Sequence, residues 1–147
     1  MIYLADTNLL IRLWRDARTP ERLRDLTPFL DSEIRLVWVV KAEFLRGAVV
    51  AGHDHKLVDG FLKRYKTLWP DEKTLGLYAR IYANLRGQNQ LIGPHDLWIA
   101  ASAQQHGLPL LTRNVTEFKR IPDLDVVQYL SLIHISEPTR QPEISYA

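Results

Sequence analysis

The chain has 147 residues, a net charge of +2 and a pI near 9.0, and this length suits one domain with a substantial core. It contains no cysteine, which excludes disulfides and thiolate metal sites and fits a reducing compartment. No apolar stretch approaches a membrane span, and Met1 leads directly into an apolar run instead of a charged leader. We therefore expect a cytoplasmic protein.

The first predicted strand is the apolar run at residues 2–5. Asp6, Thr7 and Asn8 follow it, and apolar residues with helical spacing begin at Leu9. Asp6 is therefore predicted to stand where a strand passes into a helix.

The second apolar run, residues 36–40, predicts another strand. It is followed at residues 41–48 by a segment of good helix formers that contains Glu43. We expect Glu43 to lie in or near the first turn of this helix.

A third junction is signalled by proline and glycine. Pro94 occupies the first-turn position that proline favours, so residues 93–96, which include Asp96, are predicted to open a helix from Leu97 to His106 that ends at Gly107. The short apolar run at residues 108–111 then predicts a strand, and residues 125–129 form the last strand candidate.

The exit of the run at residues 108–111 carries polar side chains. Thr112, Arg113 and Asn114 follow it directly, and Glu117 lies three residues beyond. This is the fourth junction of the same kind.

Alternating strands and helices predict an α/β fold with a mostly parallel sheet covered by helices. Residues that follow such strands meet at the carboxyl edge, where open α/β sheets bind ligands. Asp6, Glu43 and Asp96 are therefore expected to converge. Each alone is also explained as a helix-capping or first-turn acid, but capping does not require a carboxylate at all three junctions.

Converging carboxylates need a cation, because two charges about 4 Å apart repel by about 4 kcal/mol at an effective dielectric near 20. Carboxylate oxygens suit Mg²⁺ or Mn²⁺. Of the five histidines only His95 adjoins the predicted site, and we expect it to be an exposed residue at a helix start. Mg²⁺ completes its shell with water and phosphate oxygens, so the predicted substrate is a phosphate ester attacked by an activated water.

These residues resemble PIN-domain ribonucleases, most closely the VapC toxins of prokaryotic toxin–antitoxin pairs, over residues 1 to about 129. The matching segments are residues 6–8, 43–48, 92–101 and 111–114 with 117–118, in the family's order and spacing. The resemblance implies a three-layer α/β/α sandwich, which we place at residues 1–130, and cleavage of RNA such as tRNA or ribosomal RNA.

The resemblance also implies roles for individual residues. Asp6 and Asp96 would be the principal metal ligands, and Glu43 would complete the cluster or polarise the attacking water. Asn8 would orient Asp6. Asn114 would be a fourth, neutral metal ligand at a position where many relatives carry an acid, and this difference leaves the presence of a second metal ion open.

Three neighbouring residues are expected to support the site. Thr112 would hydrogen-bond a carboxylate or the scissile phosphate, unless it is an ordinary strand-end hydroxyl. Arg113 and Glu117 would help to position the substrate or the ligands.

The family forms homodimers and is silenced by a VapB antitoxin, so both partners are implied here. A helical stripe at residues 75–85 is predicted to be core more than interface, and Leu9, Leu13 and Trp14 are ambiguous in the same way. The early arginines suit an RNA-binding rim or a solvated helical face: Arg12, Arg15, Arg18, Arg22 and Arg24. The four tryptophans are left open as base-stacking residues.

Residues 131–147 break with the preceding pattern. They contain two prolines and no apolar period, and residues 132–140 look like translated cloning or adapter sequence. We expect a disordered or vector-derived tail whose removal changes neither stability nor activity.

Three alternatives remain at this point. A haloacid-dehalogenase-like phosphatase would use Asp6 as nucleophile, but it requires an aspartate where Asn8 stands. A PIN-like DNA flap nuclease usually has more acidic ligands and a longer chain. A catalytically inert PIN-like RNA-binding or regulatory domain typically lacks one of the acids that are present here.

Overall fold

The structure is a computed structural model that describes residues 1–129. The predicted tail, residues 131–147, and the last residue of the predicted domain lie outside the described residues.

Five strands form one parallel sheet in the order β3-β2-β1-β4-β5. The strands are β1 (Ile2–Ala5), β2 (Glu33–Val37), β3 (Lys66–Leu68), β4 (Leu110–Thr112) and β5 (Val126–Gln128). Ala5 pairs with Leu36 on one side and Leu111 on the other, so β1 is central. The parallel α/β fold predicted from the sequence is confirmed.

Helices connect all the strands of the described part. They are α1 (Thr7–Arg15), a 3-10 helical segment (Pro20–Phe29), α2 (Trp38–Ala51), α3 (His55–Leu62), α4 (Glu72–Gly87), α5 (Pro94–His106) and α6 (Val115–Phe118). The chain steps outward from β1 to β2 and β3, then returns across the sheet through α4 and α5 to β4. With right-handed crossovers, these two directions place helices on opposite faces of the sheet.

The ends of α5 follow from its sequence. Pro94 is the first helical residue, where the missing amide hydrogen costs nothing, and Gly107 ends the helix in the left-handed conformation with φ 61°. Both predictions are confirmed, and they place Asp96 in the first turn.

The predicted strand at residues 36–40 is wrong in its second half. β2 ends at Val37, and α2 begins at Trp38. Val39 and Val40 are buried in the helix as they would be in a strand, so the apolar run could not distinguish the two conformations. Glu43 consequently lies in the second turn of α2, not the first.

The core lies on both sides of the central strands, where Leu4, Ala5, Leu36 and Leu110 are fully buried. The helical stripe of α4 is only partly core. Ile81 and Leu85 are buried, whereas Leu75 and Tyr82 are 47% and 37% exposed.

On α1, Leu9 is buried, and Leu13 and Trp14 pack against the core as partly buried residues. The described residues contain no helix long and apolar enough to cross a membrane.

Candidate active site

Asp6 lies at the switch point of the sheet, where β1 meets β4. Its Oδ1 accepts a hydrogen bond from the Leu9 amide at 2.8 Å, and its Oδ2 accepts one from Thr112 Oγ1 at 2.6 Å. Burial raises the pKa of Asp6, and these donors, with the charge of Arg113, oppose that rise. The Asp6 carboxylate therefore caps the N-terminus of α1 with one oxygen and is fixed by Thr112 through the other.

The sequence prediction gave the orienting role to Asn8. In the structure Asn8 is exposed, and the donors to Asp6 are the Leu9 amide, the Thr112 hydroxyl and the Arg113 backbone. Thr112 is fully buried and also accepts a hydrogen bond from the Asn114 amide at 2.9 Å. The Thr112 hydroxyl thus joins the end of β4 to the residue that follows β1.

Glu43 is held between two other elements of the site. Its Oε1 accepts a hydrogen bond from Thr7 Oγ1 at 3.0 Å, and its Oε2 lies 3.1 Å from His95 Nδ1. His95 is exposed, as predicted, but its contact with Glu43 was not foreseen. No local pattern pairs residue 43 with residue 7 or 95, because α2 and α5 meet only through the fold.

The pKa of Asp96 is affected by all the other acidic groups of the site. Its pKa is raised to about 6, first by burial and then by the negative charges of Glu117, Glu43 and Asp6, while His95 lowers it. Three junctions predicted from sequence therefore do converge, and a fourth carboxylate joins them.

The fourth carboxylate is Glu117 of α6. Its charge raises the pKa of Asp96 more than those of Glu43 and Asp6 do. Asn114, the residue at the position that is acidic in many relatives, donates from Nδ2 to Glu117 Oε2 at 3.3 Å. Asn114 is thus a hydrogen-bond partner of Glu117, and Glu117 is the acidic residue of this junction.

The donor set suits a hard divalent cation, since all four acidic groups offer oxygen ligands. Within residues 1–129, however, no three acidic or histidine side chains are arranged closely enough to hold an ion as they stand. The four carboxylates therefore have the chemistry that a divalent cation requires. Their positions in the structure do not by themselves form a complete set of ligands around one ion.

The five early arginines differ in their surroundings. Arg12 is buried, and its guanidinium makes two hydrogen bonds to Asp25, at 2.8 and 2.7 Å, and one to the Arg22 carbonyl at 2.7 Å. Arg15 and Arg22 lie 3.6 and 3.8 Å from Asp16. Only Arg12 forms a buried ion pair, whereas Arg15, Arg18, Arg22 and Arg24 are exposed.

Known proteins resemble this chain over nearly the whole described part. The PIN domain family matches residues 3–124. Ribonuclease VapC1 of Haemophilus influenzae is 32% identical over 129 residues, which cover 84% of this chain and 95% of that protein. The tRNA(fMet)-specific endonuclease VapC of Salmonella typhimurium is 28% identical over 84% of this chain and 95% of its own length.

A solved structure shows the same fold. The crystal structure of DNA-bound VapBC from Salmonella typhimurium superimposes with a TM-score of 0.75 at 27% identity, covering 87% of this chain and 98% of the matched chain. The phosphatase alternative is therefore wrong, because the matched family is a different one. The chain belongs to the PIN-domain family, and VapC ribonucleases are among its relatives.

Proposed function

We propose that this protein is a metal-dependent endoribonuclease that hydrolyses RNA phosphodiester bonds. The observation that carries the proposal is the proximity of the acidic residues: Glu43 accepts a hydrogen bond from Thr7, next to Asp6, and contacts His95, next to Asp96. The negative charges of Glu117, Glu43 and Asp6 raise the pKa of Asp96 accordingly. The names of the VapC relatives support RNA as the substrate.

In this proposal Asp6 and Asp96 hold Mg²⁺ or Mn²⁺, with Glu43 and Glu117 completing the set. The ion supplies Lewis acidity that activates water and neutralises charge on the phosphate. Thr112 and the Leu9 amide keep Asp6 in place, so its ligand oxygens need little reordering.

Glu43 is placed to accept a proton, and His95 contacts it. Glu43 is the proposed acceptor for the proton of the attacking water, and His95 Nδ1, 3.1 Å from its Oε2, helps to hold this carboxylate in place. Arg113 is exposed beside Asp6 and is the proposed contact for a substrate phosphate.

We further propose that the protein is the toxin of a VapBC-type pair in the cytoplasm, acts as a homodimer and is silenced by a VapB-type antitoxin. Its structural relatives include a VapBC complex from nontypeable Haemophilus influenzae and one from Salmonella typhimurium. Co-expression with the product of an adjacent short gene should yield a stable complex with lower ribonuclease activity. A folded, active protein that ignores that product would contradict the pairing.

Cleavage of total cellular RNA tests the ribonuclease proposal. The wild type is incubated with Mg²⁺ or Mn²⁺ and with chelator, beside Asp96→Asn. Discrete fragments that need metal and are absent with the variant are expected, first in the tRNA fraction because of the relative named for tRNA(fMet). A folded protein that leaves every RNA intact would favour the inert PIN-domain alternative.

A further inference from the structure

The four tryptophans, equivalent in the sequence as base-stacking candidates, differ sharply in the fold. Trp14 packs edge-on against Phe61, with ring centroids 5.3 Å apart, and Trp38 packs against Trp98 at 5.5 Å. Trp69, in contrast, is 65% exposed. Only this indole among the four presents most of its surface to solvent.

Trp69 lies at the carboxyl edge of the sheet, as the acidic cluster does. It directly follows Leu68, the last residue of β3, whose register partner is Val37 at the end of β2. Strand β3 is two strands from β1, a lateral distance of about 10 Å, which about three stacked nucleotides span. The exposed ring is therefore within reach of an RNA strand that crosses Asp6.

A cation accompanies the exposed ring. The Nζ atom of Lys41 lies over the Trp69 ring, 5.9 Å from its centroid, in a cation–π contact, so the face on which a base can stack is the one that Lys41 does not cover. Lys41 is on α2, two residues before Glu43, so the same helix carries the cation and one of the site's carboxylates. The ammonium can attract a phosphate without leaving the neighbourhood of the ring.

We propose that Trp69 and Lys41 form a docking platform for the substrate, in which a splayed-out base of single-stranded RNA stacks on Trp69 and Lys41 contacts an adjacent phosphate. This inference rests on the proposed ribonuclease function. Aromatic faces accept any base, and a nearby cation holds the backbone, which is how proteins bind single strands. The platform selects unpaired RNA, since a base within a duplex offers no free face.

Binding is measured by fluorescence anisotropy with a labelled single-stranded RNA of about ten nucleotides, within the usual range of binding-site sizes. All proteins carry Asp96→Asn, so that the probe stays intact. Trp69→Ala should weaken binding about tenfold, whereas Trp69→Phe should stay within about threefold of the parent. Leu57→Ala is the matched control, because Leu57 is also 65% exposed. This variant should bind the RNA probe as tightly as the parent protein.

Two further readouts separate docking from a structural role. Lys41→Gln should weaken binding about threefold at low salt and little at high salt, because it removes a phosphate contact. In the active enzyme, Trp69→Ala should raise KM for single-stranded RNA while kcat stays near wild type. Equal melting temperatures of the variants confirm that the fold is intact.

The outcomes separate this inference from the proposed function. If the parent binds the RNA and Trp69→Ala binds it equally well, the platform is wrong and the ribonuclease proposal stands. If neither binds, and the wild type cleaves no RNA, the proposed function fails and the platform with it. If Trp69→Ala changes self-association in sedimentation but not RNA affinity, the ring serves a protein interface and the platform is overturned.

Discussion

Asp96→Asn should make the metal-free protein more stable at neutral pH. The Asp96 carboxyl has its pKa raised to about 6 by burial and by three nearby carboxylates, so the folded chain resists its ionisation. The amide has a similar shape and no charge. A residue proposed to be essential for metal binding therefore destabilises the fold when the metal is removed.

The sign and size follow from proton linkage. The folded state holds the proton more tightly than the unfolded chain, so stability falls as the pH rises from about 4 to about 6, and the penalty persists above that range. A shift of about two pKa units corresponds to at most about 3 kcal/mol. Solvent screening of this partly exposed group reduces that to about 1.5 kcal/mol.

A helix effect offsets part of this gain. The asparagine loses the favourable interaction of a first-turn carboxylate with the N-terminus of α5, which is worth about 0.5 kcal/mol. A net gain of about 1 kcal/mol remains, or about 3 °C in melting temperature for a domain of this size.

Thermal melts in chelator at pH 7.5 and pH 4 measure this effect. The gain of Asp96→Asn should be present at pH 7.5 and largely absent at pH 4, where the carboxyl is mostly protonated in the folded state. Asp59→Asn, at an exposed position of α3, is the control and should change stability by less than about 0.5 kcal/mol. A loss of stability at pH 7.5 would refute the repulsion argument and favour a purely capping role for Asp96.

Three further variants test the parts of the site separately. Thr112→Val removes the hydrogen-bond donor to the buried Asp6 carboxylate and should lower the free energy of unfolding in urea by about 1–3 kcal/mol. It should also shift the acidic limb of the pH–rate profile to higher pH, because the hydrogen bond lowers the pKa of Asp6, whereas Thr112→Ser should retain both properties. Asp25→Ala leaves the buried guanidinium of Arg12 without its carboxylate partner and should cost about 3–5 kcal/mol of stability, against about 0–1 kcal/mol for Arg22→Ala at an exposed position. Equal costs would contradict the structural role of the Arg12–Asp25 pair. Glu117→Gln should weaken Mn²⁺ binding more than Asn114→Ala does, and the reverse order would return the fourth ligand position to Asn114.

The sequence predicted the junctions that local chemistry determines. Asp6 follows a strand and caps a helix, and Pro94 and Gly107 set the bounds of the helix that carries Asp96. Such signals lie within a few residues of the feature that they specify. They were sufficient to predict the parallel fold and the convergence of the acidic residues.

Features that depend on distant contacts were not predictable in the same way. Strand β3 has three residues, too few to show a period, and Trp38 begins a helix inside a run that is apolar throughout. The pairing of Arg12 with Asp25 spans 13 residues and uses the 3-10 segment, which no local pattern announced. The exposure of Trp69 is likewise a property of the folded surface.

The same distinction holds within the site. Asn114 occupies the position expected for an acid, but the charge that raises the pKa of Asp96 from this junction is that of Glu117, which Asn114 contacts. Spacing along the chain identifies the segment, and only the three-dimensional arrangement identifies which oxygen atoms face the cluster.

Calorimetric titration of Mn²⁺ into the wild type and Asp96→Asn tests the central claim most directly, because it needs no knowledge of the RNA. Binding by the wild type that weakens at least tenfold in the variant is the result that the carboxylate site predicts. Equal Mn²⁺ binding by both proteins, or none by the folded wild type, would contradict the claim that these carboxylates form the metal site.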